Sequence, residues 1–160
     1  MIRKKNKFSW PRKLYDKNRI VAENKLLEEY GLKSKREIWK AEAKVKYFRN
    51  RAKILITADS EEQNNFFAKL NSMGLSVKNI ADVLALNKEN LLQRRLSTIV
   101  WKKQFANTAK QARQMIVHRK VSVDGRIVDV PSFIVPIDKE ATIFVKKNAV
   151  VKTEIKEDTE

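Results

Sequence analysis

The 160-residue chain has no cysteine and one histidine, His118. The first absence excludes disulfides, thiolate zinc sites and cysteine nucleophiles together. The second excludes a histidine-rich metal centre. No apolar run approaches the roughly 20 residues that span a bilayer. Met1 to Phe8 is basic like the start of a signal peptide, but Trp10-Pro11-Arg12-Lys13 stands where its apolar stretch would follow. The expected location is therefore the cytoplasm. Catalytic grammar is missing as well. There is no glycine-rich phosphate loop, no metal cluster and no nucleophile–histidine arrangement, so no catalytic residue, metal ligand or cofactor is expected. Asp59, Asp82 and Asp129 read as caps or turn residues. Acidic charge is also in short supply.

What is abundant is positive charge. The 35 Lys and Arg stand against 19 Asp and Glu, a formal net charge of +16 with pI near 10.1. A field of this sign and size attracts polyanions, nucleic acid first and an anionic membrane surface second. The charge is uneven. Residues 1–57 carry +12, 58–90 carry −2, 91–148 carry +8 and 149–160 carry −2. Two basic blocks flank a near-neutral one and read as two faces of one binding surface. The hydrophobic fraction, 42%, is enough for a core.

Residues 1–15 show no helical or strand period. They read as an extended arm in which Arg3, Lys4, Lys5, Lys7, Arg12 and Lys13 alternate with Phe8, Trp10 and Pro11. Such arms order on RNA, where rings stack and cations meet phosphates. Residues 16–90 read as a helical domain. A helix from Lys17 ends at Gly31, and Ser34 with Glu37 forms a capping box for the next. That helix runs to Leu55 and carries Arg36, Lys40, Lys44, Lys46, Arg49, Arg51 and Lys53. Several of these should form a stripe that follows a phosphate backbone. Asp59 or Ser60 caps a third helix ended by Gly74, and residues 75–90 read as core-filling turns and short helices.

Residues 91–148 change character. Leu92, Leu96, Ile99 and Val100 mark one face of a helix, with Arg94, Arg95 and Lys102 off that face. After a loop, Thr108 and Gln111 form a second capping box. The helix they start turns Ala112, Met115 and Ile116 inward and Lys110, Arg113, Gln114 and His118 elsewhere. Arg119 and Lys120 lead into a strand, Val121 to Val123. Asp124-Gly125 is a hairpin turn, and Arg126 to Val130 returns. Residues 133–135 and 142–145 read as further strands, and Glu154 to Glu160 as a solvated acidic tail. The fold class is α+β: a basic arm and helical domain, a helix–helix–hairpin module with its core at 91–130, and a small, mostly antiparallel sheet. Periodicity alone leaves an RNA module and a DNA-binding helix-turn-helix both open.

The run from Thr108 to His118, followed by Val121-Ser122-Val123-Asp124-Gly125-Arg126, resembles the RNA-binding motif of the small-subunit ribosomal protein S-four family. Arg94-Arg95-Leu96 resembles its first motif helix. Tyr30 to Lys40 and Val130 to Val135 resemble its archaeal and eukaryotic branch, and the match covers roughly residues 8–145. The resemblance implies a structural, non-catalytic protein that binds small-subunit ribosomal RNA early, at a multi-helix junction of the 5′ domain. It implies neighbouring ribosomal proteins and an influence on decoding accuracy. The same module recurs in free-standing RNA chaperones, which is the alternative function. It implies RNA contacts at Arg94, Arg95, Lys102, Thr108, Lys110, Gln111, Arg113, Gln114, His118, Arg119, Lys120 and Arg126. On this reading Arg94→Ala with Arg113→Ala weakens RNA binding and leaves the fold intact. Two departures stand out. The cysteines that hold zinc or a cluster in bacterial relatives are absent. Many relatives have His-Gly-His where this chain has His118-Arg119-Lys120, so Arg119 must adopt a left-handed conformation or end the helix differently.

Overall fold

The computed structural model describes residues 7–146; Arg3, Lys4 and Lys5 of the arm, and the acidic tail 149–160, lie outside the described residues. The order is α1 (Lys17–Glu29), α2 (Lys35–Leu55), α3 (Ser60–Ser72), α4 (Ile80–Ala85), α5 (Lys88–Gln93), α6 (Leu96–Lys102), α7 (Ala109–Val117), β1 (Val121–Val123), β2 (Arg126–Ile127), α8 (Ile137–Glu140) and β3 (Ile143–Val145). The class is α+β, mostly helical with one small sheet. In that sheet β1 is central and antiparallel to both neighbours, in the order β2-β1-β3.

The apolar side chains form two separate clusters. One joins α1 to α5 through residues such as Ile38, Phe48, Leu70, Val83 and Leu92. The other joins α6, α7 and the sheet through Leu96, Val100, Ile116, Val121, Val135 and Ile143. The chain passes between them at Arg94 and Arg95.

That passage departs from the expected single helix. Arg95 is extended, with φ −74° and ψ 145°, and separates α5 from α6. The apolar spacing runs through the break undisturbed, so the cause is tertiary. Residues 133–135 lie antiparallel against it. Leu96 N–H donates to Phe133 O (2.8 Å) and Val135 N–H to Arg94 O (3.2 Å). These bonds satisfy backbone groups that the broken helix leaves open. The expected strand at 133–135 is thus a single bridge, Arg95 to Ile134, outside the sheet. The hairpin return is a strand only at Arg126–Ile127.

Helix ends are built alike. After α1, Leu32 N–H donates to Leu27 O and Gly31 N–H to Glu28 O, with Gly31 at φ +59°. After α7 the same pair of bonds runs from Lys120 to Met115 O and from Arg119 to Ile116 O, with Arg119 at φ +58°. This is the Schellman ending, so Arg119 does take the left-handed conformation that glycine favours. Gly31 has a second constraint. A Cβ there would lie 2.7 Å from the Ala109 carbonyl carbon and the Lys110 nitrogen, so the α1–α2 turn seats directly on the start of α7. The capping-box expectation at Ser34 is not met, because that side chain makes no capping bond. Glu37 accepts from Lys33 N–H (3.2 Å) and turns across to the second cluster.

Candidate nucleic-acid interface

Helix α2 buries Ile38, Ala41, Val45, Phe48, Ala52 and Leu55. With about 3.6 residues per turn, its cations divide into two stripes. Arg36, Lys40, Lys44 and Arg51 fall on one side of the buried face, with exposed Tyr47 between the last two. Lys46, Arg49 and Lys53 fall on the other. Arg49 is tied down, donating to Leu86 O (2.6 Å) and Asn87 Oδ1 (3.4 Å). The first stripe borders a groove of about 550 Å³ between α2 and the second cluster. Lys7, Arg36, Lys40 and Lys44 stand along it, facing Pro131, Ser132 and Ile134, with Arg95 and Arg113 between. Among the described residues, none of Arg36, Lys40, Lys44 and Arg51 has a carboxylate within ion-pair distance. Burial, and then the nearby Lys69 ammonium, hold Lys44 below the ordinary lysine pKa.

At the groove floor one carboxylate holds two arginines. Glu37 accepts from Arg113 Nη2 (2.8 Å) and Nη1 (3.1 Å), and from Arg95 Nη2. Burial pushes the Glu37 carboxyl up. The Arg113 and Arg95 hydrogen bonds and charges outweigh it and leave the group below its ordinary value. Arg94 is engaged still more fully. Its Nε donates to Met73 O (3.1 Å), Nη2 to Val135 O (3.0 Å) and Nη1 to Glu140 (3.0 Å). Its guanidinium lies across Gly74, where a Cβ would collide with it. Three of the candidate contact residues therefore have protein acceptors and join the two clusters.

The remaining candidates scatter over the second cluster. Lys102, Lys110, Gln114, His118, Arg119 and Arg126 are exposed, and Lys120 is half-buried. Thr108 and Gln111 are occupied at the start of α7. Thr108 Oγ1 accepts from Gln111 N–H (3.2 Å) and Gln111 Oε1 accepts from Asn107 N–H (2.9 Å). Arg119 lies 3.7 Å from Asp129 in an open pair of little energetic weight. On the other body, Arg12, Lys13, Arg51 and Lys53 are exposed.

The described part of the arm folds back on the helices. Trp10 packs on Trp39 with ring centroids 5.2 Å apart, and Phe8 on Trp39 at 5.9 Å. The Arg36 guanidinium sits 5.6 Å from the Trp10 ring. Beneath them Glu23, only 3% exposed, accepts from Arg19 Nη1 (2.8 Å) and Trp39 Nε1 (2.9 Å). Arg19 then donates to Lys13 O and Leu14 O. Glu23 and Glu37 were not among the residues expected from sequence to matter at the site. Glu37 carried only a capping signal, and Glu23 carried none beyond its place in a helix.

The arrangement presents a cationic groove with fixed walls and can hold a phosphodiester chain. Among the described residues no helix is long and apolar enough to cross a membrane. Comparison with known proteins adds four findings. Residues 94–140 match the model of the S4 domain. The chain is 42% identical over 143 residues to small ribosomal subunit protein uS4 of Methanococcus aeolicus, covering 85% of this chain and 81% of that one. It is 41% identical over 158 residues to uS4 of Thermoplasma volcanium, with 93% and 79% covered, and 39% identical over 151 residues to uS4 of Nanoarchaeum equitans, with 89% and 84% covered.

Proposed function

The chain belongs to the uS4 family of ribosomal proteins, and from that premise we propose that it is a structural constituent of the small ribosomal subunit in the cytoplasm, bound directly to small-subunit ribosomal RNA. The family is structural and non-enzymatic, and the chain is not an enzyme. Its RNA target is a multi-helix junction of the 5′ domain. It binds early in assembly, and its position beside neighbouring ribosomal proteins influences decoding accuracy. Residues 16–90 and 91–148 act as two halves of one RNA-binding body, to which the described part of the basic arm adds Lys7, Arg12 and Lys13.

The observation that carries this reading is the groove itself. Arg36, Lys40 and Lys44 project along one wall without carboxylate partners among the described residues. Their opposite wall is held in register by the Glu37–Arg95–Arg113 bridge. Fixed walls suit recognition of junction shape over sequence, with phosphate contacts supplying most of the affinity. Lys102, Lys110, His118, Arg119, Lys120 and Arg126 extend the contact surface over the second cluster. Arg94, Arg95 and Arg113 act by holding the two halves together, with the exposed part of Arg113 also open to phosphate.

The test is binding of the full chain to small-subunit ribosomal RNA fragments across a salt series. Affinity falls steeply with salt if phosphate contacts dominate, because each neutralised phosphate releases counterions. A flat response, or a chain that sediments free of small subunits in cell extract, defeats the proposal.

A further inference from the structure

Beyond the groove at α2 and the second cluster lies another, between α2 and α3, of about 390 Å³. No motif in the sequence gives it a role. Tyr47 stands at its mouth, 65% exposed, one turn from Lys44 and one turn from Arg51 on the same side of α2. Lys69 faces it from α3, and Phe48, Phe66 and Leu70 form an apolar floor. A single exposed aromatic needs no explanation. The cations around this one do. The Lys69 ammonium is near enough to act on Lys44, and no carboxylate lies within 4 Å of either, or of Arg51, among the described residues. Cations gathered on one wall with no carboxylate in ion-pair range of any of them favour an anion beside them.

We infer that this groove is a second RNA subsite, taking one unpaired nucleotide whose base stacks on the Tyr47 ring and whose phosphate lies among Lys44, Arg51 and Lys69. The inference rests on the RNA-binding reading and makes it specific. Stacking on an aromatic ring is sequence-tolerant, since every base has a π face. The apolar floor accepts the base edge, and the Asn65 amide beside it offers both a donor and an acceptor. Glu62, also at the groove, repels phosphate and confines it to the cationic wall. Lys44 borders the first groove and stands one turn before Tyr47 at the mouth of the second, so a backbone that follows Arg36 and Lys40 passes over it to reach Tyr47. The distance from Arg36 to Arg51 is about 22 Å at ~1.5 Å rise per residue. A docked protein segment is the poorer fit, because lysines are depleted where protein surfaces bury one another.

The test compares full-length wild type with Tyr47→Ala, Tyr47→Phe and Lys69→Ala on two probes: a labelled oligoadenylate, and an abasic sugar-phosphate chain of equal length. Melting curves check that each variant is folded. Tyr47→Ala loses about tenfold in affinity for the oligoadenylate and nothing for the abasic chain, while Tyr47→Phe keeps the wild-type preference for bases. Lys69→Ala weakens both probes and lowers the salt slope by about one. The inference is overturned if folded Tyr47→Ala still prefers the oligoadenylate as wild type does, the result a protein-docking groove would give. If wild type binds neither these probes nor ribosomal RNA fragments, the RNA-binding reading fails and this inference fails with it.

Discussion

Two cationic regions of the molecule lie side by side and differ in what their charges face. In the seam between the clusters, Arg94, Arg95 and Arg113 all reach carboxylates or backbone carbonyls of the protein. Along the outer side of α2, Arg36, Lys40, Lys44 and Arg51 reach no carboxylate among the described residues. Arginine dominates the seam, where a planar fork can bond several acceptors at once. Lysine is common on the open side, where a mobile point charge meets phosphate without fixed geometry. The difference separates two tasks. One set of cations holds the surface in shape, and the other uses that shape. Substitutions in the first should move stability, and in the second salt-dependent affinity.

The largest effect is expected at Glu37. Glu37→Ala leaves two guanidiniums without their acceptor, and Arg95 is buried. Removing one member of a buried ionic network costs about 3–5 kcal/mol, read as a lower denaturant midpoint. The same group sets an acid limit. Its folded pKa lies below the ordinary 4.5, so the unfolded chain binds this proton more readily. The stabilisation is complete above about pH 4.5 and is lost as pH falls through the lower folded value. Glu37→Gln should flatten that segment of the stability–pH curve. A curve unchanged by Glu37→Gln would show that the seam does not depend on this charge.

Arg94→Ala comes next, at about 3 kcal/mol, because it strands the Met73 and Val135 carbonyls and the Glu140 carboxylate. This reverses the expectation that Arg94→Ala with Arg113→Ala leaves the fold intact. Thermal unfolding of the single variants decides it. An unchanged midpoint with weakened RNA binding would return Arg94 to the contact surface.

Those two residues also mark where the sequence is readable and where it is not. Helix α1 with its stop at Gly31, helix α7 with its Thr108 cap and the Asp124-Gly125 turn follow from local chemistry, and each stands where periodicity and turn residues place it. The break at Arg94–Arg95 is illegible because Leu92, Leu96, Ile99 and Val100 keep helical spacing across it, and its cause lies some forty residues away at 133–135. Glu37 is hidden for a related reason. Three residues after Ser34 it satisfies a capping pattern, so its spacing already has a local explanation. Charge is legible as an amount and not as a direction. Nothing in the order of residues tells Arg49, bonded to Leu86 O, from Arg51, open to solvent two positions on.

On the open side, Arg36→Ala with Lys40→Ala should cost about 1 kcal/mol of stability at most, the share of the exposed Arg36–Trp10 contact. RNA affinity should fall, and the slope of log affinity against log salt should shrink by about 1.5, because two phosphates are no longer neutralised. A loss of stability comparable to that of Glu37→Ala would erase the division between the two regions.

The smallest effect tests a residue on the boundary between shape and use. Arg119 holds a left-handed φ of +58° at the end of α7 and keeps its side chain exposed. A non-glycine residue in that conformation costs roughly 1–2 kcal/mol, and glycine returns part of this through its greater freedom in the unfolded chain. Arg119→Gly should therefore raise stability by about 0.5–1 kcal/mol. The pair with Asp129, open and 3.7 Å long, offsets little of that. If the arginine is tolerated because it meets phosphate, the same variant should bind RNA more weakly, with a salt slope smaller by about one. Stability and affinity then move in opposite directions at one position. A variant that gains stability and keeps its affinity would make Arg119 a strained helix end with no part in RNA binding.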